Sequence, residues 1–325
     1  MTASQAPDPL APAHPTRVAV VGTGAVGSTF AFGLLLSGLA SEIVLIDANE
    51  SKAEGEAMDI AHAVPFARTA RVWAGPIEDC RGAAVTVIAA GAAQKPGETR
   101  LDLVQKNAAI FRALVPQIAA ANPDGIILVA TNPVDVLSYL TWTISGLPAA
   151  RVIGSGTILD TARFRTLLAE HYGVDPRSVH AYIAGEHGDS EVPVWSSANI
   201  AGMPLRDFGV STQVGHDPAA LEGIFTDTRD AAYEIIRRKG ATYYAVAAGL
   251  VKIVQAILRD QHTVLSVSSL ITDYYGIDNV YLSLPTVIGR GGVEQIVPLG
   301  LSAEEASGLR RSAGLLRETI GALGL

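Results

Sequence analysis

A β-branched run, Val18-Ala19-Val20-Val21, passes directly into Gly22-Thr23-Gly24-Ala25-Val26-Gly27, and no other stretch limits the fold so tightly. An apolar helical segment follows over 28–39, then a second strand from Glu42 to Ile46, closed by Asp47 twenty residues after Gly27. Strand, glycine turn, helix and strand make the opening unit of a parallel sheet with crossover helices. The three glycines have separate reasons: a tight turn, close backbone approach to a pyrophosphate, and close packing of helix on strand. The helix amino terminus then turns free N–H groups toward phosphate oxygens. Asp47 suits the hydroxyls of an adenosine ribose and repels a 2′-phosphate, and no arginine or lysine comes immediately after it. NAD is therefore expected over NADP, at Gly22, Gly24, Ala25, Val26, Gly27 and Asp47.

The alternation continues. Strands are predicted over 70–74, 84–90, 125–130 and 151–154, with helices over 103–121 and 134–144. Six strands with helical crossovers imply an α/β fold, a Rossmann-type doubly wound parallel sheet with helices on both faces. Ligands of such sheets bind beyond the carboxyl ends of the strands. That adds Ala90, Gly91 and Asn132 to the cofactor-binding set. After Thr157 the pattern changes to a helix over 157–172, a strand over 178–184 and a long helical region over 219–256 interrupted near Lys239-Gly240. Two period-two strands, 263–272 and 280–288, and a closing helix over 302–321 complete an α+β substrate domain. The expected organisation is a flexible tail over 1–16, which holds four prolines, a cofactor domain over 17–155 and a catalytic domain over 156–325.

Bulk properties exclude several classes. A net charge of −8 and a pI near 5.4 argue against a general nucleic-acid or anionic-membrane binder, while leaving room for a local basic pocket. The single cysteine, Cys80, rules out an intrachain disulfide framework and makes a cytoplasmic protein the natural expectation. No apolar run approaches the roughly 20 residues of a membrane span. No metal is expected.

Chemistry concentrates around Gly185-Glu186-His187-Gly188-Asp189-Ser190, a bend that presents an imidazole between acids. By itself this reads first as a plain surface turn with no catalytic role. A dinucleotide site beside it suggests hydride transfer coupled to proton transfer by His187. Asp160 could orient the imidazolium, and Arg163, one turn further, could hold a substrate carboxylate by two hydrogen bonds. On these residues alone a helix-terminal charge and its ion-pair partner fit as well. Residues 91–100 form a glycine- and proline-bearing loop that could close as a lid, with Arg100 polarising a carbonyl oxygen, or remain an ordinary surface loop.

Taken together, these motifs are similar to the L-lactate and malate dehydrogenase family, most closely its bacterial lactate branch, from Arg17 to the carboxyl terminus. The similarity rests on Gly22–Gly27 with Asp47, the stretch 90–107, Thr131-Asn132-Pro133, the stretch 154–165, Gly185–Ser190 and residues 240–244. It implies reversible, NAD-dependent reduction of pyruvate to (S)-lactate. His187 is then proton donor and acceptor, Asp160 its partner, and Arg163 the carboxylate clamp. Arg100 polarises the carbonyl, Asn132 contacts the substrate oxygen and Thr242 lines the side-chain pocket. Gln94 stands where lactate enzymes have glutamine and malate enzymes arginine. A second substrate carboxylate wants a cation there, whereas a methyl group would leave one unpaired. Arg165 and His180 match positions that bind fructose 1,6-bisphosphate across a two-fold axis, which implies an allosteric homotetramer; a helix arginine in solvent and a strand histidine are the plain alternative. A malate or broader 2-hydroxy-acid dehydrogenase is the alternative enzyme. A silent NAD-binding protein would need a damaged set of His187, Asp160, Arg163 and Arg100, and all four are present.

Overall fold

The computed structural model describes residues 16–92 and 100–325, with the Arg100 side chain left out. Its first half runs β1 (Arg17–Val21), α1 (Ala25–Ser37), β2 (Glu42–Ile46), α2 (Glu50–His62), β3 (Arg71–Ala74), β4 (Ala83–Ile88), α3 (Arg100–Ala121), β5 (Ile126–Val129), α4 (Val134–Ser145) and β6 (Val152–Gly154). The second half runs α5 (Ile158–Tyr172), β7 (Val179–Ala184), β8 (Val192–Ile200), β9 (Met203–Pro204), α6 (Leu205–Ser211), α7 (Pro218–Lys239), α8 (Tyr244–Leu258), β10 (Thr263–Ile271), β11 (Val280–Gly289), β12 (Gly292–Ile296) and α9 (Ala303–Ala322).

The first six strands are parallel in the order β3-β2-β1-β4-β5-β6, the doubly wound arrangement expected. Their unbroken apolar runs, Ile126-Ile127-Leu128-Val129 for instance, are buried because helices cover both faces. On one face α1 packs against α8 through Phe30, Leu34, Leu250 and Val254. On the other, Phe111 of α3, Leu137 of α4 and Leu316 of α9 share one core. A third core sits between α5 and the small sheet β7-β8-β9, where Phe164 meets Trp195 edge-on at 4.9 Å.

The two strands predicted over 263–288 form and pair antiparallel as β10 and β11, and they join the main sheet. β10 pairs antiparallel with β6 through Ser268 and Gly154, and β11 and β12 extend the same sheet to nine strands. The open edge that a six-stranded sheet would leave at β6 is thereby covered. Helix α2, β8, β12 and α6 have weak sequence signals. α2, for example, buries only Ala53, Ala57 and Ile60 in an otherwise polar segment, and Asn49 starts it by accepting a hydrogen bond from the Lys52 N–H. The interruption expected near Lys239-Gly240 is real: Gly240, at φ 85°, ends α7 before α8 begins.

Register fixes where ligands can meet the sheet. Val21 lies opposite both Ile46 and Ile88, Ile88 opposite Val129, and Val129 opposite Gly154. The turns that follow therefore leave side by side from one edge, with the strand order reversing between β1 and β4. Cys80 is fully buried, and burial pushes its thiol up to about 11, so it is packing material. No described helix is long and apolar enough to cross a membrane.

Candidate active site

The glycine turn is built as its spacing predicts. Gly22 has φ 98°, and a Cβ there would lie 2.3 Å from the Ala90 amide nitrogen. A Cβ on Gly27 would lie 1.9 Å from the Gly22 carbonyl oxygen, so only glycine lets α1 sit this close to its strand. Gly24 differs: a Cβ there meets nothing within 4 Å. No side chain caps α1 at Gly24 and its first turn holds no acid, so its leading N–H groups remain available to an anion.

Asp47 is held by this turn. Its Oδ2 accepts from the Thr23 amide (2.7 Å) and hydroxyl (2.9 Å), and its Oδ1 from the Asn49 amide (2.9 Å). Burial alone would raise its pKa, but these hydrogen bonds outweigh it and hold the carboxyl below the usual range. A carboxylate offers about four lone-pair sites, so capacity remains for ribose hydroxyls. Beside it lies a cavity of about 420 Å³ lined by Asp47, Ile46, Ala53, Ala74 and Ile77, a volume suited to a nucleobase. The neighbouring turns are tied together. Thr131 donates to the Ala90 carbonyl (2.8 Å), and Asn107 accepts from the Ala92 amide (2.8 Å) while donating to the Asn132 carbonyl (2.8 Å). Gly91, where a Cβ would come within 2.5 Å of Thr131, is part of this knot.

Alanine at the two turn positions separates folding from binding. Gly27→Ala sets a methyl against backbone that cannot rotate away, which is expected to cost about 3 kcal/mol of stability in urea unfolding. Gly24→Ala is expected to unfold as the parent does yet to lose NADH affinity in a fluorescence titration, because its methyl enters the space a pyrophosphate would take. An alanine at Gly24 that binds NADH normally would refute this placement.

The histidine turn is clamped from three sides. Gly185 pairs with Ser283 of β11, its N–H donating at 2.9 Å, and a Cβ at Gly185 would lie 2.9 Å from Ser312 Oγ. The Glu186 amide donates to Ser312 Oγ on α9 (2.7 Å), and the His187 amide donates to Asp135 Oδ2 on α4 (2.8 Å). Asp160 is reached from α5, whose leading residue Thr157 is locked by its hydroxyl to the Ile183 carbonyl (2.6 Å) and by its amide to Ser283 Oγ (3.1 Å). His187 Nδ1 and Asp160 Oδ2 are 2.5 Å apart, and Arg163 Nη1 donates to Asp160 Oδ1 at 2.9 Å. His187, Asp160 and Arg163 are thus brought together as expected. The contact uses Nδ1, so Nε2 is the ring nitrogen left for chemistry.

Arg163 is paired with Asp160, as the plain reading anticipates, but a guanidinium has five N–H donors and this contact occupies one of them. Desolvation draws the His187 pKa down; the charge and hydrogen bond of Asp160, with Asp135 and Glu191 behind, more than reverse this and push it up to about 9. Asp160 is depressed: burial opposes ionisation, and the His187 and Arg163 charges overcome it.

Two buried acids, Asp135 and Glu191, escape the sequence reading. Asp135 is an acid in the otherwise apolar run Val134–Leu137, two residues after Pro133 of the Asn132-Pro133 motif, which is the signal that could have exposed it. Burial raises it to about 6 against the hydroxyl of Ser268 and the amide of His187.

The chain matches the model of the lactate/malate dehydrogenase NAD-binding domain over residues 16–154 and that of the family's α/β carboxyl-terminal domain over 157–323. The chain belongs to the lactate/malate dehydrogenase family. It is 54% identical over 303 residues to an L-lactate dehydrogenase of Priestia megaterium, covering 93% of this chain and 95% of that one. One from Moorella thermoacetica is 51% identical over 312 residues, covering 96% and 98%. A crystal structure of the minor L-lactate dehydrogenase of Enterococcus mundtii in a ligands-bound form superposes with a TM-score of 0.92 at 42% identity, over 95% of this chain and 98% of that one. The protein is an oxidoreductase of the lactate dehydrogenase type, with the NAD-binding domain of that family.

The remaining expected residues are less closely gathered. Asn132 is exposed at the edge beside Gly91, and Thr242 is half-buried in the turn between α7 and α8. Arg165 donates from Nε to the Ala181 carbonyl (2.8 Å) and stacks its guanidinium 4.9 Å from the Tyr182 ring centre. His180 is exposed on β7, two residues from Tyr182, across a shift in the β7–β8 register. Gln94, the Arg100 side chain, the centre of the expected lid over 93–99 and the tail before Thr16 lie outside the described residues.

Proposed function

We propose that this chain is an NAD-dependent L-lactate dehydrogenase that reversibly reduces pyruvate to (S)-lactate, with His187 as proton donor and acceptor. The observation that carries the reading is the Asp160–His187–Arg163 cluster, which joins an imidazole through one carboxylate to a planar cation in a chain that also builds a dinucleotide cradle. NADH, when bound along Gly22–Gly27 and Asp47, supplies the hydride that the substrate's C2 receives. Arg163 binds the substrate carboxylate through its remaining N–H groups and fixes C2 in place. Asn132 and Arg100 donate to the C2 oxygen, and closure of the 91–104 loop excludes water from it. His187 Nε2 gives its proton to that oxygen as negative charge develops, while Asp160 stabilises the ring before the transfer and keeps its orientation after it. In the lactate direction neutral imidazole accepts the same proton. Residues 17–155 thus serve the cofactor and 156–325 supply the acid-base and clamp residues, with Thr242 and Gln94 against the substrate methyl.

Regulation belongs to the same reading. Arg165 and His180, on one side of α5 and β7, gather fructose 1,6-bisphosphate between subunits of a homotetramer. One assay tests the whole: following NADH oxidation with pyruvate and with oxaloacetate, with and without fructose 1,6-bisphosphate. Pyruvate is expected to be preferred by orders of magnitude, with the bisphosphate lowering its KM. Preference for oxaloacetate sinks the substrate assignment, and indifference to the bisphosphate sinks the role of Arg165 and His180.

A further inference from the structure

Glu191 is the first residue after the histidine turn, and its amide closes that turn by donating to the Gly188 carbonyl at 3.2 Å. It is 7% exposed, and its Oε1 is buried with no hydrogen-bond partner among the described residues. Among the described residues Asp135 has an unpartnered Oδ1 as well, but its Oδ2 accepts from the His187 amide, while Asp160 meets His187 and Arg163 and Glu305 accepts from Ser196 and Ser302. On its outer side Glu191 lines a cavity of about 620 Å³ between β8, α7 and α9, with Trp195, Glu222, Phe225 and Arg311. The charges facing it are Asp160 and Arg163 from α5, His187 from the turn and Arg229 from α7. Asp135 of α4 acts on His187 from the opposite side, and Glu222, Glu304 and Arg311 rim the cavity.

We propose that Glu191 is a positioning residue for the proton step: its carboxyl, buried four residues after His187 with Oε1 unpartnered among the described residues, sets how firmly His187 holds its proton. Taking an unpaired carboxylate out of water is unfavourable, and Asp160 adds like-charge repulsion, so Glu191 is neutral while His187 is fully charged. Burial first and Asp160 second push it up to about 8, against His187, Arg163 and Arg229. Once ionised, Glu191 adds a negative charge that raises the His187 pKa, as Asp160 does. The new charge favours the imidazolium. Two acids therefore act on one imidazole, Asp160 by hydrogen bond and charge and Glu191 by charge, and the proton-donating form persists further than Asp160 alone would allow. The role rests on His187 being the proton carrier.

The test is an NMR titration of histidine-labelled, full-length protein, with the His187 signal identified by its loss in His187→Asn. In Glu191→Gln the His187 midpoint is expected to fall by about one pH unit, the scale of one nearby charge. Glu191→Asp, which keeps the charge, should stay near the parent. The alkaline limb of pyruvate reduction should follow the midpoint in each protein while the KM for NADH is unchanged. An identical His187 midpoint in parent and glutamine variant overturns the proposal. A limb that ignores that midpoint in every protein removes His187 as proton carrier, and the role of Glu191 with it. Should the glutamine variant fail to fold, infrared titration of the parent decides: a protonated-carboxyl band lost near pH 8 supports the proposal, and no such band overturns it.

Discussion

Asparagine in place of His187 is expected to lower pyruvate turnover by about 10²- to 10⁴-fold, the usual worth of a positioned general acid, and to leave NADH binding nearly intact. The separation follows from the construction of the site. The cofactor cradle hangs on Gly22, Gly27 and Asp47 at the ends of β1 and β2. His187 hangs on Asp135, Ser283 and Ser312 through contacts made by main chain, its own and that of its neighbours. An asparagine keeps the His187 amide bond to Asp135, so the turn is preserved and only the titrating ring is lost. Asp160 is then left buried beside Arg163 alone, which supports its charge. Single-turnover kinetics with NADH fluorescence separate the two effects: slow chemistry at normal affinity is the expected result, and retained turnover excludes His187 as the acid.

Exchange of Gln94 for arginine is expected to move the preference from pyruvate toward oxaloacetate by about three orders of magnitude. A second substrate carboxylate gains a charged partner, whereas a methyl group leaves the new guanidinium desolvated and unpaired, a penalty of about 3–5 kcal/mol. This expectation comes from the residue type at a position that the family uses to read the substrate side chain, and it concerns specificity without touching the proton step. Ratios of kcat/KM for the two oxoacids measure it. An unchanged ratio removes Gln94 as selector and passes the task to another residue of the pocket.

What the chain's sequence reveals of this molecule depends on how local each cause is. The glycine turn, Asp47 and the six parallel strands are legible because each follows from short-range demands: a left-handed φ, an atom-to-atom approach, an unbroken apolar run. The continuity of the sheet across β6 to β10 is not, since it depends on two strands more than a hundred residues apart meeting through Ser268 and Gly154. α2 hides because three alanine or isoleucine contacts suffice to seat a polar helix. In the site, His187, Asp160 and Arg163 are readable as residue types suited to a reaction. Asp135 and Glu191 are not, because their effect comes from burial, and burial belongs to the packed molecule. The Arg163–Asp160 contact shows the same limit: the spacing puts an acid and an arginine one turn apart, and only the folded chain gives the bond between them.

The central claim is that Asp160 holds His187 as an imidazolium that gives its proton to pyruvate. Its most direct measurement is kcat/KM against pH in both directions on the same protein. The folded His187 pKa lies near 9, above the ordinary 6.5, so the protonated form persists through neutral pH and is lost as pH rises through about 9. Pyruvate reduction is predicted to be level near neutrality and to fall through that value, while lactate oxidation climbs through it. Two profiles that move together, or that pass pH 9 without change, would contradict the account.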